Sequence, residues 1–155
     1  MAISRQVIIH EGPGGSFESM WVGDAEGGTK PGILLFPNIL GTKEWDFAKA
    51  EELAALGYTV LVADLYGQGK RGTDMESGML LMAEINNDRT VMRTRLLDAL
   101  AMLKGLPAVD TARLAAIGFA LAASACSTSR GPARTSRVPC PSMASMMPHP
   151  SPMRR

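Results

Sequence analysis

Two short motifs in this sequence have residue types and spacing that could support chemistry, and both follow apolar strand-like runs. Residues 114–119 form one such run and end where a sharp strand-to-helix turn would expose a catalytic nucleophile. The residue at that point is Ala120, whose side chain has no nucleophilic atom. The second motif, a G-x-G-x-x-G formed by Gly67, Gly69 and Gly72, has the glycine spacing that cradles phosphates.

The glycine motif lacks the context of a dinucleotide site. A dinucleotide-binding fingerprint opens a helix inside the motif and needs a second strand that ends in an acid about 20 residues further on. That region reads INNDRTVM here, which is the start of a helical pattern. The sequence therefore favours a loop, and we expect no cofactor.

Apolar runs alternate with helical patterns between residues 30 and 119. Two short β-like runs near the N-terminus predict a hairpin, and three later runs predict buried strands, at 33–36, 58–67 and 114–119. The intervening segments have helical spacing, with Thr42 predicted to cap the first helix and Gly57 to follow its end. This alternation predicts an α/β fold with a doubly wound, mostly parallel sheet.

A third predicted helix follows the second without an intervening strand. Its apolar positions fall on one stripe, formed by Val91 or Met92 together with Leu96, Ala99 and Leu103. Gly105 and Pro107 supply the stop signal before the next strand.

Charge is segregated along the chain, although the whole has a formal net charge of only +1. Residues 1–120 contain all 15 acidic residues and 11 of the 16 basic ones, a net charge of −4, whereas residues 121–155 contain five Arg and no acid, a net charge of +5. Cys126 and Cys140 are too few ligands for a zinc site, so we expect no metal. No apolar run approaches the roughly 18 residues of a membrane span, so we expect a cytoplasmic protein without a membrane or nucleic-acid partner.

The regular pattern stops at residue 120. Residues 121–155 contain six Pro, seven Ser, four Met and no aromatic residue, so they show neither strand nor helix periodicity. Such a composition predicts a disordered segment. The sequence therefore divides into a partial α/β domain at 1–120 and a Ser/Arg/Pro-rich tail at 121–155.

The strings LLFPNILG and VLVADLYGQG, followed further along by IGF, together resemble the dienelactone hydrolase family of α/β-hydrolases. The resemblance covers about residues 30–119 and implies that the ordered part is the N-terminal portion of an α/β-hydrolase. It also implies an enzyme that cleaves a small-molecule ester or lactone through a Cys thiolate, an acyl-enzyme and a His activated by an Asp.

The resemblance also implies positions for the site residues. It places Ile39 or Leu40 as the first backbone N–H donor of an oxyanion hole and Leu121 as the second. Ala120 stands where the family has the Cys of a G-x-C-x-G-G elbow, and Asn38 stands where members often have Glu. The chain as written therefore lacks the nucleophile that the resemblance implies.

A one-base shift of the reading frame accounts for the loss of pattern. The middle base of each shifted codon is the first base of the residue now written, which is fixed for every residue type in this segment except Ser and Arg. With one choice of the free bases, residues 124–144 can be read as LCVLDLARSGADVKGAVSFHG, which has the pattern of a helix, a turn and a strand. The loss of one base after Phe119 likewise converts GFCLGGLC and the codon that follows it into GFALAASAC. We therefore interpret the tail as a frameshift product and expect the chain as written to be inactive.

A different hypothesis treats the tail as genuine. The protein would then be a non-catalytic α/β protein whose basic arm contacts an acidic partner, although five Arg without interleaved aromatic residues are a poor nucleic-acid-binding pattern. Neither His10 nor His149 is expected to act as a catalytic base, since His10 precedes the sheet core and His149 lies in the tail. The third-base bias of the coding DNA distinguishes the two hypotheses.

Overall fold

The computed structural model describes residues 2–107 and 109–119. These residues form five strands and three helices. In chain order the elements are β1 (Ile3–Gly12), β2 (Gly15–Asp24), β3 (Lys30–Phe36), α1 (Glu44–Ala55), β4 (Thr59–Val62), α2 (Met75–Asn86), α3 (Arg89–Gly105) and β5 (Val109–Gly118).

The five strands form one mixed sheet in the order β1-β2-β4-β3-β5. β1 and β2 form an antiparallel hairpin, and β2 also pairs antiparallel with β4. β3 lies between β4 and β5 and is parallel to both. The predicted α/β class and the N-terminal hairpin are confirmed, with the parallel strands confined to the second half of the sheet.

β3 is buried on both faces, as its short apolar run predicts. Ile33 and Leu35 pack into the cluster beneath α1, whereas Leu34 and Phe36 pack into the cluster beneath α2 and α3. Alternate residues of a strand point to opposite faces, so a central strand covered on both sides must be apolar at every position.

The helices cover the two faces through the residues that have helical spacing. Ala50 and Ala54 bury the inner side of α1, and Met92, Ala99 and Leu103 bury that of α3. Small Ala side chains let α1 approach the sheet closely, while the longer side chains of α3 fill the other core. No helix in the described part of the chain is long and apolar enough to cross a bilayer.

The start of α1 differs from the sequence prediction by one residue. The N-cap is Lys43 and not Thr42, because the carboxylate of Asp46, in the first turn, accepts a hydrogen bond from the Lys43 N–H at 2.9 Å. The Thr42 hydroxyl is buried without a hydrogen-bond partner among the described residues. The predicted helix end is confirmed, since Gly57 has φ +97° and its N–H donates to the Ala54 carbonyl at 3.0 Å.

The tail at 121–155 lies outside the described residues. Its disorder and the domain boundary at residue 120 therefore stay predictions.

Candidate active site

The carboxyl ends of β3, β4 and β5 meet at one edge of the sheet, where α/β proteins bind ligands. Two loops leave from this edge. We name residues 37–43 the β3 loop and residues 63–74 the β4 loop. The N–H of Phe119, just after β5, donates to the Phe36 carbonyl at 3.3 Å, so the chain leaving β5 runs beside the start of the β3 loop.

The β3 loop contains three of the five site residues that the sequence predicts. The Asn38 side-chain oxygen accepts a hydrogen bond from the Leu40 N–H at 2.9 Å, and its carbonyl accepts one from the Gly41 N–H at 3.1 Å. Gly41 has φ +81°, which favours glycine at this turn. The Leu40 N–H is therefore engaged within the loop, whereas the Ile39 N–H has no acceptor among the described residues.

The β4 loop holds the β3 loop in place. The Tyr66 hydroxyl donates to the Ile39 carbonyl at 2.9 Å, and the Gly72 N–H donates to the Leu40 carbonyl at 2.8 Å. Burial raises the pKa of Tyr66 to about 12, so its hydroxyl stays protonated as a donor at neutral pH. The β4 loop therefore holds the carbonyls of both Ile39 and Leu40 by hydrogen bonds.

Replacement of Tyr66 by Phe is expected to lower the free energy of unfolding by about 1 kcal/mol, because the partly buried Ile39 carbonyl loses its donor. Urea denaturation followed by circular dichroism measures this difference. The matched control is Tyr58→Phe, since the Tyr58 hydroxyl has no hydrogen-bond partner among the described residues. Equal effects of the two substitutions would show that the Tyr66 hydroxyl does not hold the β3 loop.

Asp64 organises the start of the β4 loop from a buried position. Only 3% of its surface is exposed, and its carboxylate accepts hydrogen bonds from the N–H groups of Glu18, Tyr66 and Gly67 at 2.9–3.1 Å. The Arg71 guanidinium lies 3.5 Å from the same carboxylate. One side chain therefore ties β2 to the β4 loop and sets the position of Tyr66.

Arg95 of α3 holds the same loop from the other side. Its Nη1 donates to the Leu65 carbonyl at 2.7 Å, and its Nε and Nη2 donate to the Pro13 carbonyl in the β1–β2 turn. The guanidinium also lies over the Phe17 ring, 4.8 Å from the ring centroid. These contacts partly withdraw the guanidinium from water, and this burial lowers the pKa of Arg95.

The glycine motif lies within the β4 loop and does not open a helix. α2 begins at Met75, after the last glycine of the motif. Gly67 has φ +121°, and its N–H is bound by the Asp64 carboxylate, so this N–H already has an anionic acceptor. A Cβ at Gly72 would lie 3.0 Å from the Gly78 Cα, so this glycine serves the close approach of the loop to α2. The loop interpretation of the motif is confirmed.

Asp46 anchors the far end of the β3 loop through its bond to Lys43. Its side chain is 1% exposed, and burial is the largest cause of its raised pKa, while the hydrogen bond from the Lys43 N–H opposes that rise. A buried carboxylate thus holds each loop, Asp46 the β3 loop and Asp64 the β4 loop.

The other two predicted site residues, Ala120 and Leu121, lie outside the described residues. The last described residue before them is Phe119, whose ring packs edge-on against Trp45 at a centroid distance of 4.8 Å. In the part of the chain that the structure describes, no three His, Cys, Asp or Glu side chains gather as a metal-binding group.

Comparison with solved structures finds several chains that are similar to this one. The chain is similar to the structure named m3DLH, with 36% identity and a TM-score of 0.72 over 77% of this chain and 50% of that one. It is also similar to a dienelactone hydrolase-like promiscuous phosphotriesterase from metagenomic libraries, with 28% identity and a TM-score of 0.71 over the same shares. The chain spans about half the length of these relatives.

More distant structures share the fold. A cold-adapted esterase from an Arctic intertidal metagenomic library is 15% identical, with a TM-score of 0.61 over 77% of this chain and 51% of that one. A search of curated proteins gives no significant match. The model of the dienelactone hydrolase family matches residues 17–131, which is most of the chain and includes residue 120. The chain therefore belongs to the dienelactone hydrolase family.

Proposed function

We propose that this chain represents the N-terminal portion of a hydrolase of small-molecule esters or lactones, and that the chain as written is inactive. The observation that carries the proposal is the Ile39 N–H at the carboxyl edge of the sheet, which has no acceptor among the described residues. The Leu40 N–H is bound by Asn38, and Tyr66 fixes the Ile39 carbonyl, so Ile39 is the better of the two candidate donors.

The proposed role of the Ile39 N–H is electrostatic. When a nucleophile attacks an ester carbonyl, the carbonyl oxygen gains negative charge, and a fixed N–H donor stabilises that charge without reorganising. The second donor would be the Leu121 N–H, which follows the nucleophile position. Both loops are held by internal hydrogen bonds, which supports a donor that is in place before the substrate arrives.

The attacking group is missing at position 120. Family members place a Cys there, and the family match extends across this position to residue 131. Ala120 cannot form an acyl-enzyme, because its methyl group has no lone pair to attack the carbonyl carbon. We propose that a one-base shift replaced this Cys and produced the tail at 121–155, which leaves a partial hydrolase domain at 1–120.

The experiment restores the frame at GFCLGGLC and through the following codons. The restored protein is expected to hydrolyse p-nitrophenyl acetate and to lose that activity with iodoacetamide, which alkylates the thiolate. Its matched control carries Ala in place of the restored Cys. A restored protein that folds by circular dichroism but hydrolyses neither this ester nor a lactone or phosphotriester would contradict the proposal.

The same restored protein tests Ile39. Ile39→Pro removes the N–H and is expected to lower kcat by about 10²–10³, the usual cost of one oxyanion donor. Ile39→Ala keeps the N–H and should retain most of the activity. Similar activities for the two variants, with similar unfolding curves, would show that the Ile39 N–H is not a donor to the reacting oxygen.

A further inference from the structure

Gly78, the fourth residue of α2, lies against the loop that carries the proposed oxyanion donor. It is one of the two buried residues of this helix, together with Ile85. Its backbone is helical, so no left-handed conformation requires glycine at this position. Glycine is also less favourable than alanine inside a helix, because it loses more conformational freedom on folding. The reason for a glycine at position 78 must therefore lie in its surroundings.

The β3 loop occupies the space that a side chain at position 78 would need. A Cβ built on Gly78 would lie 2.9 Å from Leu40 Cδ2, 3.0 Å from the Ile39 carbonyl oxygen and 3.3 Å from Ile39 Cγ1. Carbon atoms make favourable contacts at about 3.5–4.0 Å. The first turn of α2 can therefore lie this close to the β3 loop only with glycine at position 78.

A second glycine encloses the same part of the β3 loop. A Cβ at Gly72 would lie 3.1 Å from Leu40 Cδ2, the same atom that a Cβ at Gly78 would meet. The Leu40 side chain thus fits between Gly72 of the β4 loop and Gly78 of α2. The Gly72 N–H also donates to the Leu40 carbonyl at 2.8 Å, so Leu40 is held through both its side chain and its backbone.

The contact with the Ile39 carbonyl connects Gly78 to the proposed chemistry. The peptide between Ile39 and Leu40 is bound at its N–H by Asn38 and at its carbonyl by Tyr66, and Gly78 lies against the same carbonyl. A Cβ at 3.0 Å would displace this carbonyl by a few tenths of an ångström. The displacement passes through the Ile39 Cα to the Ile39 N–H, and an oxyanion donor acts only within about 2.7–3.1 Å of the reacting oxygen.

We propose that Gly78 is a positioning residue for the oxyanion donor: it lets α2 lie against the Ile39 carbonyl and thereby sets the direction of the Ile39 N–H. This inference rests on the proposed hydrolase function. Every contact that carries it joins residues between Asn38 and Gly78. A glycine needed only for packing would affect stability, whereas a positioning residue also affects kcat selectively.

Kinetics of the frame-restored protein test this role. Gly78→Ala is expected to lower kcat for p-nitrophenyl acetate by about 10- to 100-fold, somewhat less than loss of the whole donor, with KM changed by less than about twofold. A misdirected donor stabilises the charged transition state less and leaves substrate binding unchanged. The matched control is Gly105→Ala at the end of α3, where a Cβ meets no atom within 4 Å, and its kcat should stay within about twofold of the parent.

A double-mutant cycle with Tyr66→Phe distinguishes action on the Ile39 carbonyl from general packing. Tyr66 and Gly78 contact the same carbonyl oxygen, so their effects on kcat should not be independent. The double variant is expected to lose no more than about threefold beyond the worse single variant, because its carbonyl is already displaced. Independent effects would instead multiply.

Urea denaturation of the chain as written measures the packing contribution separately. Gly78→Ala should lower the urea midpoint although alanine is the better helix former, whereas Gly105→Ala should not lower it. If Gly78→Ala leaves too little folded protein for kinetics, Leu40→Ala becomes the parent for both measurements. It removes the contact at 2.9 Å and keeps the contact with the Ile39 carbonyl, so Gly78→Ala should still lower kcat in that protein.

The outcomes separate this inference from the proposed function. A restored protein that hydrolyses p-nitrophenyl acetate with the same kcat after Gly78→Ala would overturn the positioning role and leave the hydrolase function in place. The same holds for a raised KM at unchanged kcat, or for losses that multiply in the cycle with Tyr66→Phe. A folded restored protein that hydrolyses no ester, lactone or phosphotriester would contradict the proposed function, and this inference with it.

Discussion

The chain as written is expected to hydrolyse p-nitrophenyl acetate about 10⁶-fold more slowly than the frame-restored protein, because Ala120 occupies the nucleophile position. At 1.36 kcal/mol for each factor of ten, this is about 8 kcal/mol of activation free energy. The measurement compares kcat/KM of the two purified proteins. Hydrolysis by the chain as written that iodoacetamide abolishes would contradict the expectation.

A single substitution should not recover this activity. Ala120→Cys places a thiol at the correct position, but Ala122 and Ala123 then stand where the elbow needs glycine for the close passage of its backbone. None of the described residues places a His beside the β3 loop to act as a base. In a background with Cys126→Ser and Cys140→Ser, we therefore expect Ala120→Cys to label with iodoacetamide but to show no more esterase turnover than the same background without it. This result would show that restoring the thiol alone does not restore the site.

The sequence predicted where the strands and the buried stripes of the helices lie, because these depend on local periodicity. Two details differ: β4 is shorter than the predicted strand at 58–67, and residues 115–118 of β5, predicted to be buried, are exposed within the described residues. Leu34, at the centre of β3, follows from a four-residue apolar run, and Ala50 and Ala54 follow from helical spacing. The family resemblance also placed Asn38, Ile39 and Leu40 in one loop at the carboxyl edge. These features are determined by residues near one another in the chain.

The contacts that hold the loops could not be predicted in the same way. Asp64 binds the N–H of Glu18, 46 residues earlier, and Arg95 binds the carbonyl of Pro13, 82 residues earlier. No local pattern encodes a bond between residues so far apart. The one available signal was the position of Asp64 two residues after the buried strand β4, where a polar side chain lies at the carboxyl edge of the sheet.

The shift of the α1 N-cap from Thr42 to Lys43 has a related cause. Asp46 lies in the first turn of α1, where the helix dipole favours an acid. Its side chain also makes Lys43 the N-cap, because the buried carboxylate accepts a hydrogen bond from the Lys43 N–H. Burial of a charged first-turn residue depends on the sheet packed against it, which the sequence of the helix alone does not reveal.

Replacement of Asp64 by Ala is expected to destabilise the fold by about 3 kcal/mol or more. The substitution leaves the N–H groups of Glu18, Tyr66 and Gly67 without their acceptor, and each buried unpaired group costs about 1–3 kcal/mol. A loss of this size is a large part of the usual stability of a domain, about 5–15 kcal/mol. Urea denaturation at a protein concentration low enough to dissociate oligomers measures the change.

Asp74→Ala is the matched control, because Asp74 is also a carboxylate that accepts a backbone N–H, from Ser77 at 2.8 Å, but is exposed at the start of α2. Loss of an exposed N-cap costs about 1 kcal/mol. Asp64→Asn should destabilise the fold by an amount between those of the two Ala variants. Its amide keeps one oxygen, which can still accept a hydrogen bond from some of these N–H groups. If Asp64→Ala and Asp74→Ala cost the same, water or a rearranged loop must replace the Asp64 carboxylate, and the β4 loop cannot owe its shape to that side chain.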